Sequence, residues 1–139
     1  MRHIYALLAT ALFCHTALAQ NPLAIPPALE LDTFDLVVDE HVHQFYPGIN
    51  TNTYGASAEY LGPTLVLHKG DTTNIRVHNQ LAQITSMHWH GLHVPGEQDG
   101  GPQMVIDPGT QWHYKYAVKN PAGTYWYHPH PHELTAEQA

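Results

Sequence analysis

The stretch Trp112-His113-Tyr114-Lys115-Tyr116-Ala117-Val118 decides the fold class. Large apolar side chains occupy every second position, with His113, Lys115 and Ala117 between them. A period of two sends one set of side chains to a core and the other to water, which is the pattern of a β-strand. Working outward, Phe34, Leu36 and Val38 alternate with Asp35 and Val37, and Ile75 and Val77 alternate with Arg76 and His78. Leu65-Val66-Leu67 predicts a short strand before a turn at Lys69-Gly70-Asp71, and Met87–Gly91 a further strand end. Asn120–Gly123 reads as a turn, and Tyr125–His130 as a final strand running into a His/Pro stretch. Pro47, Gly48, Asn50, Asn52 and Gly55 predict a long irregular crossing, and Pro95–Pro102 a Gly-rich loop. No convincing helical period is present. Short strands separated by turn residues predict an all-β sandwich.

Composition sets the bounds around that reading. A chain of 139 residues has the length of one domain, and 11 Pro with 10 Gly suit a turn-rich β architecture. The formal net charge of −7 argues against a nucleic-acid binder, and 12% charged residues exclude a charged disordered tail. Histidine is the outlier: 13 residues, against 12 acidic, 5 basic and a single Cys. A surplus of the commonest metal-binding side chain is the feature that needs a function.

Residues 1–19 have the layout of a Sec-type secretory signal peptide. Arg2 and His3 form the n-region, Ile4–Phe13 the apolar h-region, and Ala17-Leu18-Ala19 an A-x-A cleavage site. The apolar run is short for a membrane span. Residues 20–32, with Pro22, Pro26 and Pro27, form an extended leader, and 33–139 the domain proper. Export to the periplasm or beyond is expected, with no membrane attachment after cleavage. Cleavage would remove Arg2, His3, Cys14 and His15, leaving four basic residues, twelve acidic, eleven histidines and no cysteine. Metal chemistry in such a chain has to run on imidazole rather than thiolate.

Two segments carry that chemistry: His88-Trp89-His90-Gly91 and Tyr127-His128-Pro129-His130-Pro131-His132. Residues i and i+2 of a strand share a face, so each pair can present two imidazoles to one side. Pro129 keeps the second pair extended. If the two strands are neighbours, four imidazoles converge, a donor set that suits copper or zinc, with copper the tighter binder. His41-Val42-His43 reads as surface, His68, His78 and His113 as solvent-facing strand positions, and His93 as a neighbour of the first pair. Metallo-hydrolase patterns do not fit: Leu92 stands where H-x-H-x-D needs an acid, and H-E-x-x-H is missing.

His88-Trp89-His90-Gly91-Leu92, continuing through Val94-Pro95-Gly96-Glu97 to Asp99-Gly100-Gly101-Pro102-Gln103, resembles the first copper motif of multicopper oxidases. Gly123–His132 resembles the second, and Leu61-Gly62-Pro63-Thr64 and Lys69-Gly70-Asp71 match the same amino-terminal domain. The resemblance covers nearly all of residues 25–138, closest to the copper-efflux oxidase, bilirubin oxidase and spore-coat laccase branch. It implies a cupredoxin-like Greek-key β-sandwich. By position it implies His88 as the type 2 copper ligand, and His90, His128 and His130 as type 3 ligands. Asp99 falls where the family places an acid that delivers protons, four of which are consumed when dioxygen becomes water. Trp89, Trp126 and Tyr127 read as packing around the ligands.

The departures limit the implied function. The family oxidises its substrate at a type 1 copper held by Cys and His in its last domain, and draws four further cluster histidines from there. Residues 20–139 contain no Cys and only the first four cluster histidines. The sequence ends at Ala139, where relatives continue into another apolar strand, so a C-terminally incomplete domain is the expectation. The resemblance therefore implies the copper-binding amino-terminal domain of a multicopper oxidase, inactive by itself. Its expected partners are O2, an unidentified reducing substrate and the remaining cupredoxin domains. Two alternatives are an exported copper-sequestering module, and a subunit that completes its cluster with a separately encoded partner.

Overall fold

The computed structural model describes residues 23–139; the signal-peptide expectation, Cys14 and the first residues of the leader lie outside them. The period-two segments form strands. In chain order these are β1 (Ala28–Leu29), β2 (Thr33–Tyr46), β3 (Ile49–Ala56), β4 (Thr64–Leu65), β5 (Thr72–Asn79), β6 (His88–His90), β7 (Gln111–Ala117) and β8 (Trp126–His128). A 3-10 turn at Gly96–Gln98 and a one-turn helix, α1 (Thr135–Gln138), complete the set.

The main sheet has the order β3-β2-β5-β7. β2 runs parallel to β5 and antiparallel to β3, while β5 and β7 are antiparallel. Because parallel neighbours cannot be joined by a tight turn, the chain between β2 and β5 has to cross over, and it does so through β3 and β4. Two small sheets, β1-β4 and β6-β8, provide the opposing surface. The alternation sorts residues as the sequence reading requires. Phe34, Leu36, Val38, Ile75, Val77, Tyr114 and Tyr116 are buried, while Asp35, Arg76, His113 and Lys115 lie on the outer face. Trp89 of β6 closes the core from the other side, with its ring 5.1 Å from Tyr114 and 6.1 Å from Tyr116. Each of these buried side chains contributes roughly 1.5–3 kcal/mol of hydrophobic stabilisation. That contact fixes β6, and with it both histidines of the first pair, against the main sheet.

Several local expectations change. The crossing predicted from Pro47 to Gly55 is a β-hairpin. β2 continues to Tyr46, only Pro47 and Gly48 form the connection, and Tyr46 pairs with Ile49. Gly48 takes φ +79°, which a glycine adopts without steric cost. Asn52 and Gly55, which read as loop, are carried instead by the backbone ladder to β2. β4 stops at Leu65, although Val66 still donates to the Leu29 carbonyl at 2.8 Å, so the leader is anchored as an added strand. The final strand stops at His128, and no backbone pair to β6 forms over the following Pro129-His130-Pro131. His68 is not on a strand. It meets Glu30 at 2.7 Å, and His43 is half-buried with Nδ1 2.8 Å from the Glu59 carboxylate. α1 is the one α-helix among the described residues, and its single turn is too short to carry a helical period.

Candidate metal centre

β6 and β8 are antiparallel neighbours in the register His88 to His128, Trp89 to Tyr127 and His90 to Trp126. The alternation therefore puts His88, His90, Trp126 and His128 on one face, and Trp89 and Tyr127 on the other, toward the core. Tyr127 is held in place by donating to the Pro63 carbonyl at 2.7 Å. Gly62 leaves room for that phenol, since a Cβ there would lie 2.3 Å from the Tyr127 oxygen.

Four imidazoles gather on the outer face. The His88 ring meets His90, His128 and His130 edge to face, with centroids 5.5, 5.4 and 5.5 Å away. His130 stacks on His128 at 5.6 Å. Ring nitrogens of His88, His90 and His128 lie within 4.8 Å of one another. The hydrogen bonds decide which nitrogens are free. His88 Nδ1 donates to the Asp99 carbonyl at 2.8 Å, and His128 Nδ1 to the Pro129 carbonyl at 2.7 Å, leaving Nε2 of each as the lone-pair atom. His90 points Nδ1, not Nε2, at His128 Nε2, 3.3 Å away. His130 Nδ1 is buried and has no partner among the described residues. Burial is the main force holding the His128 imidazolium below its usual pKa, and the three neighbouring imidazoles act in the same direction. The hydrogen bond to Pro129 partly opposes that shift. The ring is thus kept in the neutral form that ligates metals.

Imidazole–metal bonds run about 2.0–2.1 Å, so two nitrogens roughly 3–4 Å apart can share one ion. The 3.3 Å approach of His90 Nδ1 to His128 Nε2 fits that requirement, and an all-imidazole donor set fits copper. Asp99 approaches from the Gly-rich loop, its carboxylate 3.4 Å from His88 Nδ1. The tighter bond to the same nitrogen comes from its backbone carbonyl. Gly100 permits this approach, because its φ is +70° and a Cβ there would lie 1.7 Å from the Met87 carbonyl oxygen.

Three further residues support the centre, and of these sequence reasoning had singled out only Trp126, as packing around the ligands. Trp126 lies against His90 and His128, with ring centroids 4.6 and 4.4 Å away. Asn120, buried, accepts from the His93 N–H at 2.7 Å and donates to the Gly91 carbonyl at 2.9 Å, closing the loop after the first pair. Ser86 accepts from the His130 N–H at 3.1 Å. The Asn120 role had a signal in the turn Asn120-Pro121, but Ser86 had none. His41, His43, His68, His78 and His113 take no part in the centre.

The sequence profile of multicopper oxidases matches residues 38–139. The chain is 40% identical over 126 residues to multicopper oxidase Mco of Staphylococcus aureus, covering 86% of this chain and 28% of that protein. It is 34% identical over 122 residues to cell division protein FtsP of Escherichia coli (strain K12), covering 86% of this chain and 26% of that protein. Among solved structures, it is similar to CueO, a bacterial laccase-like multicopper oxidase from Ochrobactrum sp.. That match has a TM-score of 0.81 and 38% identity, over 84% of this chain and 27% of the other. The chain thus spans about a quarter of the length of the relatives it matches. The cupredoxin-like sandwich expected from the motifs is the fold of this chain.

Proposed function

We propose that this chain, which belongs to the multicopper oxidase family, supplies the amino-terminal half of an oxygen-reducing copper centre. The observation that carries the reading is the facing of the two histidine pairs across β6 and β8, with three ring nitrogens already converged. Fold alone would not carry it, since a relative 34% identical to this chain is named for cell division rather than oxidation.

His88, through Nε2, would be the type 2 ligand. His90 through Nδ1, His128 through Nε2, and His130 would serve the type 3 pair. Copper bound there supplies the one-electron redox chemistry needed for dioxygen reduction. The protein's part is to fix the donors before metal arrives. The Asp99 and Pro129 carbonyls set two tautomers, Trp126 braces two rings, and the Trp89 core contact anchors the strand. Outer-shell partners of this kind hold ligand orientation and raise ligand basicity. The half-exposed Asp99 carboxylate is open to solvent and sits beside His88, which suits it to deliver protons to the centre. Substrate oxidation and closure of the cluster would fall to cupredoxin domains carrying the cysteine that residues 20–139 lack. An exported location, periplasmic or secreted, belongs to the same reading. Among the described residues no helix is long and apolar enough to cross a membrane.

The convergence of three nitrogens without outside help also supports a second reading, an exported module that sequesters copper. Copper titration of the metal-free full chain, followed by O2-consumption assays with a reducing phenol, separates the two. The oxidase reading predicts copper binding, and turnover only when a Cys-containing cupredoxin domain is present. Tight stoichiometric binding with no turnover in that presence would favour the module. No saturable copper binding would contradict both.

A further inference from the structure

We infer that Ser86 is a positioning residue for His130, continuing by its side chain a strand ladder whose backbone pairing ends at His128. The inference rests on the reading of His130 as a metal ligand. The β6–β8 register pairs His88 with His128, so continuing it by two residues brings Ser86 opposite His130. Backbone pairing does not continue there: the ladder ends at His88 and His128, and prolines flank His130 on both sides. The His130 N–H is the one donor between them, and it goes to the Ser86 hydroxyl at 3.1 Å. Ser86 is fully buried, so no water competes for that bond.

The rail that holds Ser86 is itself fixed on both sides. Thr85 exchanges two backbone hydrogen bonds with Ile106, at 3.1 and 2.8 Å. Gln138 of α1 accepts from the Thr85 hydroxyl at 2.8 Å and donates to the Ile84 carbonyl at 2.9 Å. α1 in turn ties back to the His/Pro stretch, with the Thr135 hydroxyl donating to the Pro131 carbonyl at 3.0 Å. The stretch carrying His130 is thereby clamped at both ends, by Ser86 on one side and α1 on the other. The His130 ring, whose Nδ1 has no partner among the described residues, depends on this backbone clamp for its place beside His128 and His88. Prolines keep the segment extended, and Ser86 sets where the extended segment lies.

The test compares wild type, Ser86→Ala and Ser86→Thr in the full chain. Hydrogen exchange at the His130 amide is measured without metal, and Cu(II) affinity and its EPR spectrum with metal. Ser86→Ala should speed exchange at His130 about tenfold or more, and lower copper affinity by about tenfold, the scale for losing an outer-shell partner. It should also change the copper hyperfine coupling, which a change in global stability alone would not move. Ser86→Thr, which keeps the hydroxyl, should restore all three. If Ser86→Ala speeds exchange yet leaves affinity and spectrum as in wild type, the inference is wrong; unchanged exchange refutes the hydrogen bond itself. Failure of wild type to bind copper would instead count against the proposed function.

Discussion

His88 and His128 face each other directly across the β6–β8 ladder, their rings meeting edge to face with centroids 5.4 Å apart. Forty residues of sequence separate them, and a single register determines that they meet. Replacing either with alanine should leave the core intact, since the residues that pack inward are Trp89 and Tyr127. Copper affinity in the metal-free full chain should fall by more than the roughly 100-fold seen when outer-shell partners are lost. Titration calorimetry beside a far-UV circular dichroism spectrum checks both halves of that expectation.

Gly100→Ala should be strongly destabilising. The added methyl would overlap the Met87 carbonyl, and the residue sits at positive φ. A cost of about 2 kcal/mol or more is expected from strain and overpacking together. Urea unfolding measures it. The same change should push Asp99 away from His88 and release the His88 Nδ1 proton from its carbonyl acceptor, seen as a shift of that imidazole NMR signal.

Asn120→Ala removes both bonds that close the loop after His90, leaving the His93 N–H and the Gly91 carbonyl without their protein partners. Losing a buried partner costs about 1–3 kcal/mol. The expected result is a lower urea midpoint with an unchanged slope.

These supports were the part of the molecule least legible in the sequence. The sandwich was legible because Trp112 to Val118, Phe34 to Val38 and Ile75 to Val77 alternate cleanly. The histidine pairs were legible because i,i+2 spacing fixes a common face. The β2–β3 hairpin was not, because Asn52 and Gly55 have loop propensity and are held as strand by pairing with Val42 and Asp39 of β2. Ser86, Asn120 and Gln138 act across 44, 27 and 54 residues of sequence respectively. No local pattern encodes contacts of that range. The nitrogen that His88 offers was likewise set by a carbonyl from another segment, that of Asp99.

On the outer face of the main sheet, Arg76 donates to Asp35 through two nitrogens, one bond measuring 2.6 Å, and His78 adds a contact at 3.0 Å. These partners, the Arg76 hydrogen bond first, lower the Asp35 pKa from 3.8 to about 2. A depressed carboxyl pKa stabilises the fold fully above the unfolded value, and that contribution is lost as pH falls through the folded value. The stability difference between wild type and Asp35→Asn should hold at pH 6, shrink below about pH 4 and vanish only below about pH 2. Because the pair is half-exposed, salt should reduce the difference. Denaturant unfolding across that pH range checks the sign.

The most direct test of the central claim is nitrogen hyperfine spectroscopy on the copper-loaded full chain, compared with a variant in which His88, His90, His128 and His130 are all alanine. Wild type should bind copper saturably with imidazole nitrogens coupled to the metal, and the variant should lose both. Copper that binds equally well to the variant, or binds wild type without histidine nitrogen coupling, would contradict the claim.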